Sequence, residues 1–133
     1  MLITRECDYA IRIIRALSSG DIMNVPTICE KESLTSAITY KMARKLEKAG
    51  LIKSYRGSAG GYALNCDLER TTLYDILTVI DSNMLLIECM QSGYDCLVNQ
   101  PKQPCLAHRE FLRIQMNLNK ELKECSLAKL LHG

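Results

Sequence analysis

No uninterrupted apolar run in this 133-residue chain approaches the roughly 20 residues that a membrane-spanning helix needs. The sequence therefore predicts no membrane partner. Histidine is scarce, with two in all, one of them next to last. There is no Ser, His and Asp constellation to raise a nucleophile, and no phosphate-binding glycine fingerprint opening a helix, so the sequence predicts no enzyme. Closely paired C-x2-C knuckles, the usual grip on structural zinc, are missing as well. Internal repeats and low-complexity segments are also absent. The opening stretch MLITRECDYAIR has acids early and no small-residue cleavage site, so it does not read as a secretory signal, and a cytoplasmic location is expected.

What is present is a composition able to bury a core: 47% hydrophobic and 24% charged residues. The net charge of +2 says little, but its distribution says more. Between Tyr40 and Arg56 stand six basic residues (Lys41, Arg44, Lys45, Lys48, Lys53 and Arg56) against one acid, Glu47. From Thr71 onward there are six basic and seven acidic residues. Positive charge is thus concentrated in one segment, as a nucleic-acid-binding face requires, although an ordinary solvated helix face would show the same excess.

Seven cysteines is an odd number, and a reducing compartment does not favour a disulfide framework. Cys7, Cys29, Cys66 and Cys125 are scattered, and the spacing predicts small buried hydrophobes, with Cys29 and Cys125 at apolar helical positions. Cys89, Cys96 and Cys105 are different. They share the stretch ECMQSGYDCLVNQPKQPC, whose glycine and two prolines prevent an unbroken helix or strand.

Residues 4–18 place Tyr9, Ala10, Ile13, Ile14 and Leu17 at helical spacing, an amphipathic helix ended by a turn at Ser19-Gly20-Asp21. Residues 26–32 start on a proline suited to a first helical position. After Ser33-Leu34-Thr35, Ser36 is expected to cap a third helix with Ile38, Met42 and Leu46 on one face and Ala49-Gly50 at its end. Two short helices across a three-residue turn, the second basic outside, make a helix-turn-helix. LIKSYR and YALN, joined by a Gly-rich loop over 57–61, predict a hairpin with Arg56 at its tip, where a guanidinium could enter a minor groove or clamp a phosphate. Thr72 and Asp75 form a capping-box pair that predicts a helix over 72–82. A long pattern over 105–125, with Phe111, Ile114, Leu118, Leu122 and Cys125 on one stripe, predicts a helix that packs on a symmetry mate or back on its own domain.

The stretch GLIKSYRGSAGGYAL, with DYAIRI near the start and three loop cysteines before a C-terminal helix, resembles the IscR/NsrR/CymR family of bacterial transcription regulators. The resemblance runs from Leu2 to about Leu127, and its most specific piece is the wing with the KAGL before it. It implies a winged-helix homodimer that binds a palindromic operator in double-stranded DNA. It also implies an iron–sulfur cluster on the three-cysteine loop, as many members carry, whereas members lacking that loop sense thiol metabolites or other signals. The expected fold is thus mainly α with a small β-hairpin: a winged helix-turn-helix DNA-binding domain over 1–83, a cluster-binding loop over 84–104, and a dimerisation helix with a C-terminal tail over 105–133. Carried over by position, residues 36–50 become the recognition helix, Arg56 the wing-tip groove contact, and Cys89, Cys96 and Cys105 the cluster thiolates. The interval from Cys96 to Cys105 is longer than relatives commonly show and holds Pro101 and Pro104, so 2Fe–2S and 4Fe–4S both stay open.

Widely spaced thiolates suit a cluster better than a single zinc ion. Three thiolates leave a ligand position to fill. His108 falls three residues after Cys105, on the same face of a continuing helix. Asp8 is the other candidate, because the resemblance places an oxygen ligand there in some members; in a dimer that helix could come from the other subunit. For DNA, Thr35, Ser36, Ala37 and Tyr40 lie at the start of the recognition helix, where base edges are reached. Lys41, Arg44, Lys45 and Lys48 are expected on phosphates, and Arg56 with Gly57 at the wing. The function expected is a regulator sensing redox, iron or nitric oxide status through the cluster. The alternative is a cofactor-free winged-helix regulator sensing thiol oxidation or a partner protein.

Overall fold

Helix α1 (Arg5–Leu17) buries Cys7, Ala10, Ile13, Ile14, Ala16 and Leu17, the stripe that its apolar spacing dictates, in a computed structural model describing residues 3–133. Leu2, where the family resemblance begins, lies outside the described residues. Helix α2 (Val25–Glu32) starts one residue earlier than the proline suggested, with Pro26 in its second position. The reason is Asn24, whose Oδ1 accepts from the Thr27 N–H at 2.9 Å and sets the start. Proline is tolerated there because first-turn N–H groups have no intrahelical partner in any case. Ser33 ends α2 in the left-handed region, φ 55°, and turns the chain sharply into α3 (Ser36–Lys48). Thr35, rather than Ser36, caps α3: its hydroxyl accepts from the Ile38 N–H at 3.3 Å. The far end closes on Gly50 at φ 79°, with the Leu51 N–H reaching the Leu46 carbonyl at 3.0 Å.

Met42 and Leu46 are buried and Ile38 packs against the same core, so these three are framework, as predicted. An ion pair locks α1 to α2. Glu32 is buried, and the Arg15 guanidinium donates to it at 3.1 Å through Nε and 2.5 Å through Nη2. Arg12 adds a bond to the Glu32 carbonyl at 3.3 Å. A buried carboxylate is tolerated because charge and lone pairs are both answered.

Strands β1 (Ile52–Tyr55) and β2 (Gly61–Leu64) pair antiparallel, Ile52 opposite Leu64 and Tyr55 opposite Gly61. Met23 joins them, exchanging backbone hydrogen bonds with Tyr62 at 2.8 and 2.9 Å. Gly61 makes this possible: a Cβ there would lie 2.3 Å from the Met23 carbonyl oxygen. Gly60 is equally constrained, since its Cβ would meet the Tyr55 oxygen at 2.3 Å. These close backbone approaches are why the loop is glycine-rich.

Helix α4 (Leu73–Ile80) opens with the predicted capping box, Thr72 and Asp75 each bonding the other's backbone N–H. Its two ends fall inside the predicted 72–82. Helix α5 (Leu106–Glu124) matches the predicted long helix, but its apolar stripe splits. Leu118 and Leu122 pack onto the core of α1–α4, whereas Phe111 and Ile114 are exposed. Cys125 sits just past the helix at its C-cap. Residues beyond it, expected as a tail, form α6 (Leu127–His132), capped by Ser126. The segment is stitched to the start of α4, Leu73 N–H to Cys125 carbonyl at 2.8 Å and Leu127 N–H to Thr71 carbonyl at 2.9 Å. Leu127 is fully buried. Of the four scattered cysteines only Cys7 is buried; Cys29, Cys66 and Cys125 are half-buried. Cys29 faces the Thr39 hydroxyl at 3.3 Å, and burial pushes the Cys66 thiol up against the opposing hydrogen bond of Thr71.

Candidate nucleic-acid interface and cysteine loop

Helical periodicity divides α3 cleanly. Thr39, Met42, Ala43 and Leu46 face inward, leaving Ser36, Ala37, Tyr40, Lys41, Arg44 and Lys48 exposed on one outward strip with Thr35 at its head. Every exposed member of the sequence-predicted contact set on this helix lies on that strip. Lys45 departs from it: half-buried, its ammonium donates to the Ile80 carbonyl at 3.2 Å and lies 3.6 Å from Glu6 Oε2. Lys41 donates to the other Glu6 oxygen. The Lys41 hydrogen bond is the main cause holding the Glu6 carboxyl below the usual range; burial opposes it, and the positive charges of Lys41 and Lys45 reinforce it. Sequence reading missed Glu6, since its partners lie 35 residues away.

The lone acid of the basic segment, Glu47, accepts from the Ser54 hydroxyl at 2.7 Å, tying α3 to the wing. Burial, then the nearby Glu47 charge, pushes the Tyr62 hydroxyl up. Arg56 and Gly57 stand in the exposed wing loop, Gly57 at φ 102°, a value that strains other residues. Among the described residues Arg44, Lys48 and Arg56 have no carboxylate within salt-bridge distance, so a row of uncompensated cations runs from α3 to the wing.

The cysteine loop leaves α4 at Asp81 and enters α5 at Leu106. Gln115 holds its near end. This buried side chain accepts from the Leu86 N–H at 2.7 Å and donates to the Met84 carbonyl at 3.0 Å. A polar residue within an otherwise apolar helix face is the signal that could have marked it. Cys89 lies in a 3-10 turn, Glu88–Met90, that packs on α5, and its Sγ is 3.4 Å from His108 Nδ1. The long second interval folds on itself: Gln100 and Gln103 exchange backbone bonds at 3.2 and 2.9 Å around Pro101. The Gln100 amide also donates to the Cys96 carbonyl, and Asn99 Oδ1 accepts from the Cys105 N–H at 2.8 Å. Extra length is thus taken up in a closed turn between Cys96 and Cys105.

The structure brings together Cys89 and His108. Asp8 stands apart, paired with Arg12 at 2.9 Å. Among the described residues no group of three or more His, Cys, Asp or Glu side chains converges on a point that could hold one metal ion. The donors do not fit a mononuclear site. A cluster places less demand on convergence, because thiolates bind different iron atoms, and sulfur with imidazole nitrogen is a donor set that such clusters accept.

Comparison with known proteins now places the chain. Residues 3–133 match the family model described as Rrf2: Iron-dependent Transcriptional regulator. The chain is 27% identical over 134 residues to the HTH-type transcriptional regulator IscR of Vibrio campbellii, covering 98% of this chain and 77% of that one. It is also 27% identical over 99 residues to Protein aau3 of Rhizobium meliloti, covering 72% of this chain and 64% of the relative. Among solved structures it resembles CymR, the global cysteine regulator of B. subtilis, with a TM-score of 0.78 at 22% identity over 98% of this chain and 95% of the other. Regulators of this kind are not enzymes, and among the described residues no helix is long and apolar enough to cross a membrane. The winged helix, the cation row on α3 and the wing, and the end-to-end family match make this chain a member of the Rrf2 family of transcriptional regulators, of the IscR and CymR type.

Proposed function

We propose that the chain acts as a homodimer that reads a palindromic operator through α3 and the wing. In this reading it senses redox, iron or nitric oxide status through an iron–sulfur cluster, 2Fe–2S or 4Fe–4S, on Cys89, Cys96 and Cys105. The observation that carries the sensing part is the 3.4 Å approach of Cys89 Sγ to His108 Nδ1, which favours His108 as the fourth donor over Asp8, already engaged by Arg12. The family description as iron-dependent and the IscR relatives support the same reading. When bound, a cluster would supply a redox-sensitive charge on the loop. The rest falls to this chain's own residues. Gln115 fixes the loop's near end to α5. The Lys45 ammonium ties the end of α4 to α3, so a change in the loop's path can bias the reading helix.

On DNA, Thr35, Ser36, Ala37 and Tyr40 are assigned to base edges, Ala37 through its methyl group, for instance on thymine. Lys41, Arg44 and Lys48 are assigned to phosphates, while Lys45, expected there too, is held by the Ile80 carbonyl and Glu6; Arg56, with Gly57 giving its loop room, is assigned to a groove or phosphate at the wing. The exposed apolar residues of the first half of α5, Phe111, Leu112 and Ile114, fit burial against a second copy.

Anaerobic purification tests the cluster. A coloured protein with visible absorbance and matched iron and acid-labile sulfide is expected, with Cys105→Ala removing both and His108→Ala leaving a more labile centre than Asp8→Ala does. A colourless preparation without iron, even after anaerobic reconstitution, would sink it. One observation favours a second reading, cofactor-free sensing by thiol oxidation: Cys89, Cys96 and Cys105 are free and half-exposed, and they do not converge on one point. That colourless preparation, still binding DNA in a thiol-dependent way, would be its signature.

A further inference from the structure

Glu6 reaches from α1 onto the DNA-facing helix and takes two of its lysines. Lys41 Nζ donates to one carboxylate oxygen, and Lys45 Nζ lies 3.6 Å from the other. The two lysines are not equivalent. Lys45 is 38% exposed and also bound to the Ile80 carbonyl, at the negative end of α4. Lys41 is 60% exposed, and Glu6 is its only carboxylate partner among the described residues. Glu6 itself is one-third exposed, partly withdrawn from water by the helices around it. The neighbouring cations Arg44 and Lys48, on the same strip, have no such partner.

We propose that Glu6 is a specificity-determining residue for DNA: it holds Lys41 back from the backbone of any duplex that offers only charge. A phosphate must displace the Glu6 carboxylate before it can pair with Lys41. On random-sequence DNA, where binding is almost wholly electrostatic, that displacement is unassisted. On an operator, base contacts made by the start of α3 hold the helix in register, and the exchange of carboxylate for phosphate follows. Glu6 thus weakens non-specific binding more than specific binding, which is the quantity a genome-searching protein needs. The inference rests on the DNA-binding role of α3.

The test uses the full chain, anaerobically purified, titrated by fluorescence anisotropy against a short random-sequence duplex at several salt concentrations. Glu6→Gln should bind more tightly at low salt, and its plot of log K against log salt should be steeper by about 0.9, the value of one released counterion contact. Between 50 and 200 mM salt that adds about a 3.5-fold loss of affinity to the wild-type loss. In a Lys41→Ala background the same substitution should leave the slope unchanged. An unchanged slope for Glu6→Gln alone overturns the proposal. So does a gain that persists without Lys41, which would be a general field effect of the lost charge. A wild-type chain that binds no duplex at low salt removes the DNA role of α3 itself, an outcome distinct from both.

Discussion

The head, α1 to α4 with the wing, and the segment from the cysteine loop into α5 obey different rules. In the head, Ile13, Ile14, Leu17, Ile28, Met42, Leu46, Ile76 and Leu77 are at most 1% exposed, and side-chain caps at Asn24, Thr35 and Thr72 start three of its four helices. From Leu85 to Ile114 no residue is buried at all. Leu97 is 91% exposed, Val98 70% and Leu106 69%, and α5 begins on Cys105 with no side-chain cap. The head is complete as a single chain. The second region carries apolar surface and thiols with few partners of their own, as a segment does whose other contacts come from a ligand or a second copy.

Core truncation should reveal this contrast most strongly. Ile13→Ala in α1 is expected to cost about 2–5 kcal/mol of unfolding free energy, measured by urea denaturation. A loss below 1 kcal/mol would mean that the head is looser than its burial indicates. Removing a cap comes next. Thr72→Ala should cost about 1 kcal/mol, because the Asp75 N–H and the box are lost together, whereas in cluster-free protein Cys105→Ala at the uncapped start of α5 should barely shift the same urea transition. Equal losses would erase the distinction between the two helix starts. Leu97→Ser should be smallest, within about 0.5 kcal/mol. A larger loss that grows with protein concentration would identify Leu97 as buried between copies.

What could be read from the sequence follows the same divide. The helix-turn-helix and wing were legible because periodicity, caps and glycines are local signals. Errors there were single-residue matters of which neighbour caps, Asn24 ahead of Pro26 and Thr35 ahead of Ser36. Features that depend on distant partners were not legible. Leu127 enters the core from a short helix read as a tail, and the α5 stripe divides around Gln115 because its second half meets the head. Cys89 and His108 were both singled out from spacing, yet their contact depends on the path of the loop between them. The proximity of Glu6 to Lys41 left no local trace at all.

Gln115 has one more consequence, for how such proteins can diversify. It clamps Met84 and Leu86 to α5, so the chain from Leu86 to Cys105 leaves a fixed support and returns to the start of the same helix. Lengthening a loop between fixed ends costs little, about 0.6 kcal/mol for each doubling, and this chain already stores extra residues in the closed turn of Gln100 and Gln103. The segment therefore behaves as an exchangeable cassette. Its length and composition can be changed while α1–α4 and the wing keep their register.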